Sequence, residues 1–357
     1  MSVLARIRPD LAEFRAYASA RSGGLDARVL LNANEAPHDA WRASRGRNRY
    51  PDPQPAVLRA RLAALYGVAP DRLWIGRGSD EAIDLLLRAF CRAGRDNIVT
   101  PAPTFGMYRV GARLQGAACR EVALDADRGF VLDPERLLAR VDADTKLVIV
   151  CSPNNPTGTP WHSALAFLAE RLDGRALLVV DEAYVEFADA PSATALLDRH
   201  ENIAILRTLS KAHALAGARI GALIAPAALA AFIGRIAAPY PLPSPSIELA
   251  LAVLEPAALE ATRVRIGAIR AERERLRASL AGLRGVRAVW PSEANFVLAR
   301  FDDARAAFDG ALAAGVLVRD VSDQLGLAGC LRITVGAAAE NAALLGALDE
   351  AAVGALA

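Results

Sequence analysis

Short apolar runs alternate with longer amphipathic stretches through the first two thirds of the chain. Each run is followed by a turn and then by apolar positions at helical spacing. The runs are LWIG (73–76), NIVT (97–100), KLVIVCSP (146–153), ALLVVDEAY (176–184) and IAILRTLS (203–210). This alternation predicts a mainly parallel sheet covered by helices, in which ligands bind beyond the carboxyl ends of the strands.

The pattern changes at the proline-rich segment APYPLPSPS (238–246), which indicates the passage into a second domain. Beyond it, apolar positions at helical spacing predict a long helix over 256–282. Short strands near 294–300 and 329–335 and a final helix complete an α+β unit. A length of 357 residues is also typical of two domains rather than one.

Composition narrows the classes of partner. The chain has 42 basic and 40 acidic residues, so no overall field favours nucleic acid or an anionic membrane. The four cysteines are scattered without a CxxC pair, which is typical of a reduced, cytoplasmic protein, and we expect no metal site. Charges interrupt the N-terminus where a signal peptide is apolar, and the most apolar stretch, 212–238, is too interrupted to span a bilayer.

Among the basic residues only Lys146 and Lys211 are lysine. Arginine therefore occupies nearly every position at which any cation suffices. A lysine retained under this bias is a candidate for chemistry that arginine cannot perform, since its amine can lose a proton and act as a nucleophile.

The segment RTLSKAHALAGARIG (207–221) follows a predicted strand and places Thr208 and Ser210 beside Lys211, with Arg219 further along. Hydroxyls, a guanidinium and backbone N–H groups are suitable ligands for phosphate, and a lysine amine can attack an aldehyde. The combination indicates a phosphorylated carbonyl cofactor. The alternative is an ordinary strand end with a surface lysine and a satisfied arginine.

Two further segments carry candidate ligands at the starts of turns. In VVDEAYVEF (179–187), Asp181 ends an apolar strand, where a buried carboxylate needs a cation such as a protonated pyridine nitrogen. In GRGSDEAIDLLLRAF (76–90), Ser79 begins a helix whose exposed amides favour an anion. The alternatives are helix caps at both positions.

The segment CSPNNPTG (151–158) is a turn-rich strand exit from which Asn155 can hydrogen-bond a ring hydroxyl, although ordinary turns use the same residues. Together with VVDEAY, TLSKAxALAGxR and LRITVG in this order, it resembles the class I/II aminotransferases of pyridoxal-phosphate (PLP) fold type I. YASAR, LNANE, RYPDPQP, GRGSDEAIDLL, FGMY, APYPLP and EANFVLAR further resemble the histidinol-phosphate aminotransferases, so that the likeness covers nearly the whole chain.

This resemblance implies an α/β fold with a large domain, built on a mainly parallel seven-stranded sheet, and a smaller α+β C-terminal domain. The expected boundaries are 1–28 for an N-terminal arm near the site and the small domain, 29–240 for the large PLP-binding domain and 241–357 for the small domain. It also implies a homodimer in which Tyr50 enters the site of the partner subunit.

The resemblance assigns roles around pyridoxal 5'-phosphate. Lys211 is the covalent attachment point and the base that takes the α-proton, Asp181 pairs with the pyridine nitrogen, and Tyr184 and Asn155 approach the phenolic oxygen. Tyr108 stacks on the ring. The implied phosphate ligands are Ser79, Asp80, Thr208, Ser210 and Arg219, with Tyr50 from the partner.

The implied substrate ligands are Arg332 for a carboxylate, Tyr17 and Arg319 near a distal phosphate, and Asn34. The reaction would exchange an amino group between histidinol phosphate and 2-oxoglutarate, giving imidazole acetol phosphate and glutamate in histidine biosynthesis. The chain departs from the commoner family pattern at Ala36 and at His213, where an apolar aromatic residue is frequent.

Three other functions fit the same motifs. An aromatic or broad-specificity aminotransferase would use the same scaffold, and rates with histidinol phosphate against phenylalanine distinguish it. A threonine-phosphate decarboxylase would also bind a phosphorylated amino compound, and carbon dioxide release identifies it. A non-catalytic PLP-binding protein would not need the complete set of candidate residues, which makes it the weakest of the three.

Overall fold

The computed structural model describes residues 3–11, 14, 32–39 and 46–354. Most of the expected N-terminal arm, including Tyr17, lies outside the described residues. Within the described ranges, the strands are Leu73–Gly76 (β1), Asn97–Ala102 (β2), Ala118–Ala123 (β3), Thr145–Cys151 (β4), Leu177–Asp181 (β5), Ile203–Thr208 (β6), Gly221–Ile224 (β7), Val286–Val289 (β8), Phe296–Phe301 (β9), Arg319–Asp320 (β10) and Cys330–Thr334 (β11).

Helices cover both sheets. They are Ala56–Tyr66 (α1), Ser79–Phe90 (α2), Met107–Gln115 (α3), Pro134–Leu138 (α4), His162–Leu172 (α5), Ala227–Ile236 (α6), Ser244–Val253 (α7), Pro256–Ala281 (α8), Ala304–Ala313 (α9) and Ala338–Gly354 (α10). The long helix predicted over 256–282 is confirmed as α8. Pro256 suits its first turn, where the missing N–H would have had no partner within the helix.

The larger sheet has seven strands in the order β1-β7-β6-β5-β4-β2-β3. Strands β2 to β6 run parallel to one another, whereas β7 runs antiparallel to both β1 and β6. The prediction of a mainly parallel sheet is therefore confirmed, and each of the five apolar runs overlaps one of its strands. The apolar stretch 212–238 contains β7, which is buried throughout.

Alternation of side chains divides the core on the two faces of this sheet. Leu178, Val180 and Ile205 pack into one hydrophobic cluster, together with Tyr66 from α1. Leu177, Val179 and Leu206 belong to the cluster on the opposite face. Successive residues of β5 or β6 therefore direct their side chains to opposite faces of the sheet.

The smaller sheet is antiparallel, in the order β10-β11-β9-β8. The apolar side of β9 and β11 packs with residues of α8, α9 and α10 in a third hydrophobic cluster, which confirms the predicted α+β unit. In the part of the chain that the structure describes, no helix combines the length and apolar character required to cross a bilayer.

Candidate active site

A cavity opens beyond the carboxyl ends of β4, β5 and β6, beside the start of α2. Its walls are formed by Ser79, Asp80, Phe105, Cys151, Asn155, Asp181, Ala183, Tyr184, Thr208, Ser210, Lys211 and Arg219. The structure thus brings together the residues that the sequence placed around the cofactor, except Tyr108 and Tyr50. Phe105, Cys151 and Ala183 were not selected from the sequence, although each lies within a quoted motif: FGMY, CSPNNPTG and VVDEAYVEF respectively.

One end of the cavity is built to receive an anion. Helix α2 begins at Ser79, and its N-cap Gly78 (φ 80°) provides no side-chain cap. A Cβ atom on Gly78 would lie 2.6 Å from Nη2 of Arg219, and one on Gly221 would collide with the backbone of Gly78 and Ser79. The two glycines therefore let a guanidinium and the positive end of a helix dipole converge on one small volume.

Arg219 is held in place at this end by neighbouring side chains. Its Nη2 donates to Oδ2 of Asp80 at 3.0 Å, and its Nη1 donates to Oγ of Ser210 at 3.4 Å. Thr208 lies beside them, with its Oγ1 2.9 Å from Oγ of Ser210. Asp80 is acidic, so its side chain serves to orient Arg219, whereas the hydroxyls and the guanidinium are the groups that suit a phosphate.

At the other end, Asp181 is buried at the end of β5. Its Oδ2 accepts a hydrogen bond from the Tyr108 hydroxyl at 2.7 Å, and its Oδ1 accepts from the N–H of Ala183 at 3.1 Å. Burial raises the pKa of Asp181 to about 6, against the opposing effect of these hydrogen bonds. Among the described residues no arginine or lysine forms an ion pair with it, so the carboxylate is suited to a cationic ligand.

The stacking role implied for Tyr108 stays a prediction, and in the structure this side chain lies beside Asp181 rather than on the cavity wall. The Tyr108 ring is fully buried in the first turn of α3, which carries its hydroxyl behind the cavity to Asp181. Phe105 lies before the helix and is the aromatic residue on the cavity wall. Its ring meets Tyr108 edge to face at 5.6 Å between centroids. Of the two aromatic residues in FGMY, Phe105 is therefore the one that lines the cavity.

Lys211 reaches the cavity between these two ends. Its Nζ lies 5.7 Å from the centroid of the Tyr184 ring. Burial lowers the pKa of Lys211, and the positive charges of Arg332 and Arg219 act in the same direction. Lys146 differs, because its Nζ donates to a backbone carbonyl at 3.0 Å and lies 3.6 Å from Asp96. Of the two lysines, Lys211 is the one placed and tuned to act as a nucleophile.

A chain of hydrogen bonds links the smaller sheet to the cavity wall. Arg332 on β11 donates from Nη1 to Oδ1 of Asn155 at 2.7 Å, and Asn155 donates from Nδ2 to the Tyr184 hydroxyl at 3.3 Å. Phe296 packs edge to face on Tyr184 at 5.1 Å and lies beneath the guanidinium of Arg332 at 5.5 Å. The C-terminal part of the chain thus supplies a cation at the rim of the site.

Arg319 and Arg332 are direct cross-strand partners in the β10–β11 ladder. Like charges opposite each other destabilise a sheet unless an anion lies between them. Burial lowers the pKa of Arg332, and the charge of Arg319 lowers it further. No carboxylate of the described residues forms a salt bridge with either guanidinium, so the pair is suited to an anionic ligand.

Two residues predicted at the site lie elsewhere in this chain. Asn34 and Tyr50 line a separate, open cavity. The Tyr50 ring is 50% exposed and stacks on Tyr240 with 4.4 Å between ring centroids. Tyr17 lies outside the described residues.

Residues 21–349 match the family model for aminotransferase class I and II. The chain belongs to this aminotransferase family. It is 53% identical over 354 residues to a histidinol-phosphate aminotransferase of Stenotrophomonas maltophilia (strain R551-3), with 97% of this aminotransferase and 96% of the relative covered. A protein of the same name from Xanthomonas euvesicatoria is 52% identical, with 98% and 97% covered.

A solved structure supports the same family assignment. This aminotransferase is similar to the histidinol-phosphate aminotransferase from Sinorhizobium meliloti, crystallised in complex with pyridoxal-5'-phosphate, with a TM-score of 0.79 and 30% identity. The similarity covers 88% of this chain and 86% of that one. The family and fold implied by the sequence motifs are therefore confirmed.

Proposed function

We propose that this aminotransferase is a PLP-dependent histidinol-phosphate transaminase of histidine biosynthesis. It exchanges an amino group between histidinol phosphate and 2-oxoglutarate, giving imidazole acetol phosphate and glutamate. The observation that carries the proposal is the cavity in which Lys211 lies between a buried carboxylate and an anion cradle. Identity above 50% with the relatives of that name supports the choice of substrate.

The residues of the cavity fit the cofactor. Arg219, Ser79, Thr208 and Ser210 would hold the phosphate at the start of α2, in the space that a Cβ atom at Gly78 would obstruct. The buried Asp181 carboxylate would meet the ring nitrogen, and the burial that raises its pKa makes a cationic partner favourable there. Asn155 and Tyr184 would approach the ring hydroxyl, and Phe105 would cover one face of the ring.

When bound, pyridoxal phosphate supplies an aldehyde that condenses with amines and a ring that withdraws electrons from the adjacent carbon. Lys211 would hold the cofactor, take the proton from the substrate α-carbon and deliver it to the carbon that carried the aldehyde, for which its lowered pKa is favourable. Asp181 keeps a proton on the ring nitrogen. Tyr108 keeps Asp181 oriented by its 2.7 Å hydrogen bond.

We expect Arg332→Gln to weaken capture of both substrates, because phosphate and carboxylate groups both suit the guanidinium groups of the Arg319–Arg332 pair. Loss of a charge-assisted hydrogen bond costs about 1.5–3 kcal/mol, so KM should rise about 10- to 100-fold while kcat changes less. Steady-state kinetics measure both constants. Arg300→Gln is the matched control on the same sheet. The Arg300 side chain packs on Trp290 and donates to the Gly326 carbonyl, and neither residue lines the cavity. An unchanged KM in Arg332→Gln would contradict the assignment.

The functional unit is a homodimer in which Tyr50 contributes to the phosphate site of the partner subunit. The half-exposed Tyr50 ring and its distance from the cavity of its own chain support this. Coexpressed Lys211→Ala and Tyr50→Ala chains form a mixed dimer with one complete site only if Tyr50 acts in trans. We expect that mixed dimer to have about half the wild-type rate. A rate lower than that of the Tyr50→Ala homodimer would contradict the arrangement.

The chain organisation follows the same proposal. In this proposal residues 29–240 form the large cofactor-binding domain and 241–357 the small domain, whereas the described residues of the expected arm bond the carboxyl end of α2, as in the hydrogen bond from the Arg8 N–H to the Ala89 carbonyl. The enzyme works in the cytoplasm, which the four unpaired cysteines support.

The test is a spectrophotometric half-reaction of the purified, cofactor-loaded protein with histidinol phosphate. Rapid loss of the absorbance of the lysine-bound cofactor, with formation of imidazole acetol phosphate, is the expected result. Faster reaction with phenylalanine would indicate an aromatic aminotransferase instead. Carbon dioxide release from threonine phosphate would indicate a decarboxylase.

A further inference from the structure

A second group of charged residues lies directly behind the cofactor site, on the other face of β5 and β6. Asp181 and Thr208 line the cavity, whereas their neighbours Glu182 and Arg207 point away from it, because side chains alternate along a strand. Glu182 is 1% exposed and Arg207 is 7% exposed. We name Glu182, Glu186, Arg207 and Tyr66 the rear cluster.

Arg207 is the centre of the rear cluster. Its Nη1 lies 3.4 Å from Oε2 of Glu182, and its Nη2 donates to Oε1 of Glu186 at 2.9 Å. Its guanidinium lies 4.6 Å from the centroid of the Tyr66 ring. Glu182 also accepts a hydrogen bond of 2.6 Å from the Ser192 hydroxyl. One guanidinium therefore joins the end of β6 to two points on the segment that follows β5.

Burial of three charges is expensive, and apolar residues of similar size often stabilise a core better. The benefit is geometric. The β5–β6 pairing ends with Asp181 opposite Leu206, followed by the hydrogen bond from the N–H of Glu182 to the carbonyl of Leu206. Beyond this point the strands part to form the cavity, and the Arg207–Glu182 contact is the next link between them.

The loop that carries Lys211 also adjoins the rear cluster. His213, two residues beyond Lys211, is 4% exposed, and its charged neighbours are Glu186 and Arg207 from the cluster and Arg265 from α8. Both nitrogens of His213 lack a partner among the described residues. Arg265 donates to the carbonyl of Ala212 at 3.0 Å, which fixes the loop from the side of α8.

We propose that Arg207 is a positioning residue, which sets the separation of Asp181 from Thr208 and Lys211 by bridging Glu182 and Glu186. This rests on the proposed function, since these groups would hold the ring nitrogen, the phosphate and the aldehyde carbon of one rigid cofactor. A small change in the spacing of β5 and β6 would then prevent both ends of the cofactor from being bound together.

The conservative variant Arg207→Lys tests the proposal. A lysine keeps the positive charge, but a single ammonium cannot span both glutamates in the way a planar guanidinium does. We expect the dissociation constant of PLP from the cofactor-free protein to rise about tenfold, and the absorbance of the lysine-bound cofactor to change its pH dependence. The matched control is Arg92→Lys, which alters a pair with the buried Asp96 outside the cavity and the rear cluster.

A second variant separates positioning from simple stability. Arg207→Met with Glu182→Gln and Glu186→Gln removes all three charges together, so that no buried charge is left alone. We expect it to fold and to bind PLP at least tenfold more weakly than wild type. Cofactor affinity within twofold of wild type in both variants would overturn the proposal. Failure of wild-type protein to turn over histidinol phosphate while it binds PLP would overturn only the proposed substrate.

Discussion

Replacement of Lys211 by alanine is expected to abolish transamination, with a loss of about 10⁴-fold or more in kcat/KM. The variant loses both the covalent attachment point and the group that moves the α-proton, and proton transfer alone contributes about 10²–10⁴-fold. The geometric basis is the position of Lys211 between Asp181 and the anion cradle, with a pKa lowered mainly by burial. The measurements are steady-state rates with histidinol phosphate and the visible spectrum of the protein mixed with PLP.

The composition of the chain provides a matched control. Lys146 is the other lysine, and its ammonium bonds a backbone carbonyl and lies near Asp96, away from the cavity. Lys146→Ala should therefore retain the wild-type rate. Borohydride reduction followed by peptide mass spectrometry should label Lys211 in wild type and in Lys146→Ala. Turnover retained by Lys211→Ala, or a label on Lys146 alone, would show that the assigned attachment point is wrong.

Much of the site was predictable because strand ends are marked in the sequence. Asp181 and Thr208 each lie at the last position of a strand, and the parallel arrangement brings these ends to one edge of the sheet. A local apolar run followed by a polar residue is sufficient to place such a group. The identity of the ligand did not follow from strand ends alone and required the specific order of the motifs.

Side-chain direction around short turns was not predictable in the same way. Phe105 and Tyr108 lie three residues apart, across the start of α3, and both are aromatic. Only the packed structure shows that α3 turns Tyr108 inward to satisfy Asp181, which leaves Phe105 on the wall. The sequence contains no local signal for the hydrogen bond between Tyr108 and Asp181, which are 73 positions apart.

Contacts between distant parts of the chain were also beyond the sequence patterns. The hydrogen bond from Arg332 to Asn155 joins the smaller sheet to the larger one, and no periodicity relates the two positions. The antiparallel strand β7 was hidden for a different reason. Its sequence, GALI, lies in an alanine-rich apolar stretch that has no polar alternation to separate strand from helix.

Asp181→Asn is expected to have opposite effects on stability and on activity. In the cofactor-free protein, burial raises the pKa of Asp181 to about 6 from an ordinary value of 3.8. The folded chain therefore holds this proton more tightly than the unfolded chain. The resulting stability is fully present below pH 3.8 and is lost as pH rises through 6. The difference between the two pKa values corresponds to a loss of about 3 kcal/mol in the free energy of unfolding at pH 8.

Asparagine carries no charge, and its carbonyl oxygen can still accept from Tyr108 or Ala183. We therefore expect the cofactor-free variant to be more stable than wild type at pH 8, by up to about 3 kcal/mol in the free energy of unfolding. Urea denaturation should show this difference narrowing as pH falls towards 4. The kcat/KM of the cofactor-loaded variant should fall about 10²–10³-fold, since a neutral amide cannot keep the ring nitrogen protonated.

Asp96→Asn is a control for which the opposite change in stability is expected. Asp96 is also a buried carboxylate, but hydrogen bonds from Arg92 overcome the effect of burial and lower its pKa. Asp96→Asn should therefore destabilise the protein at pH 8 and leave kcat/KM near the wild-type value. Equal stability of Asp181→Asn and wild type at every pH would mean that Asp181 carries no unfavourable charge in the cofactor-free site. The electrostatic argument for a cationic ring nitrogen opposite it would then fail.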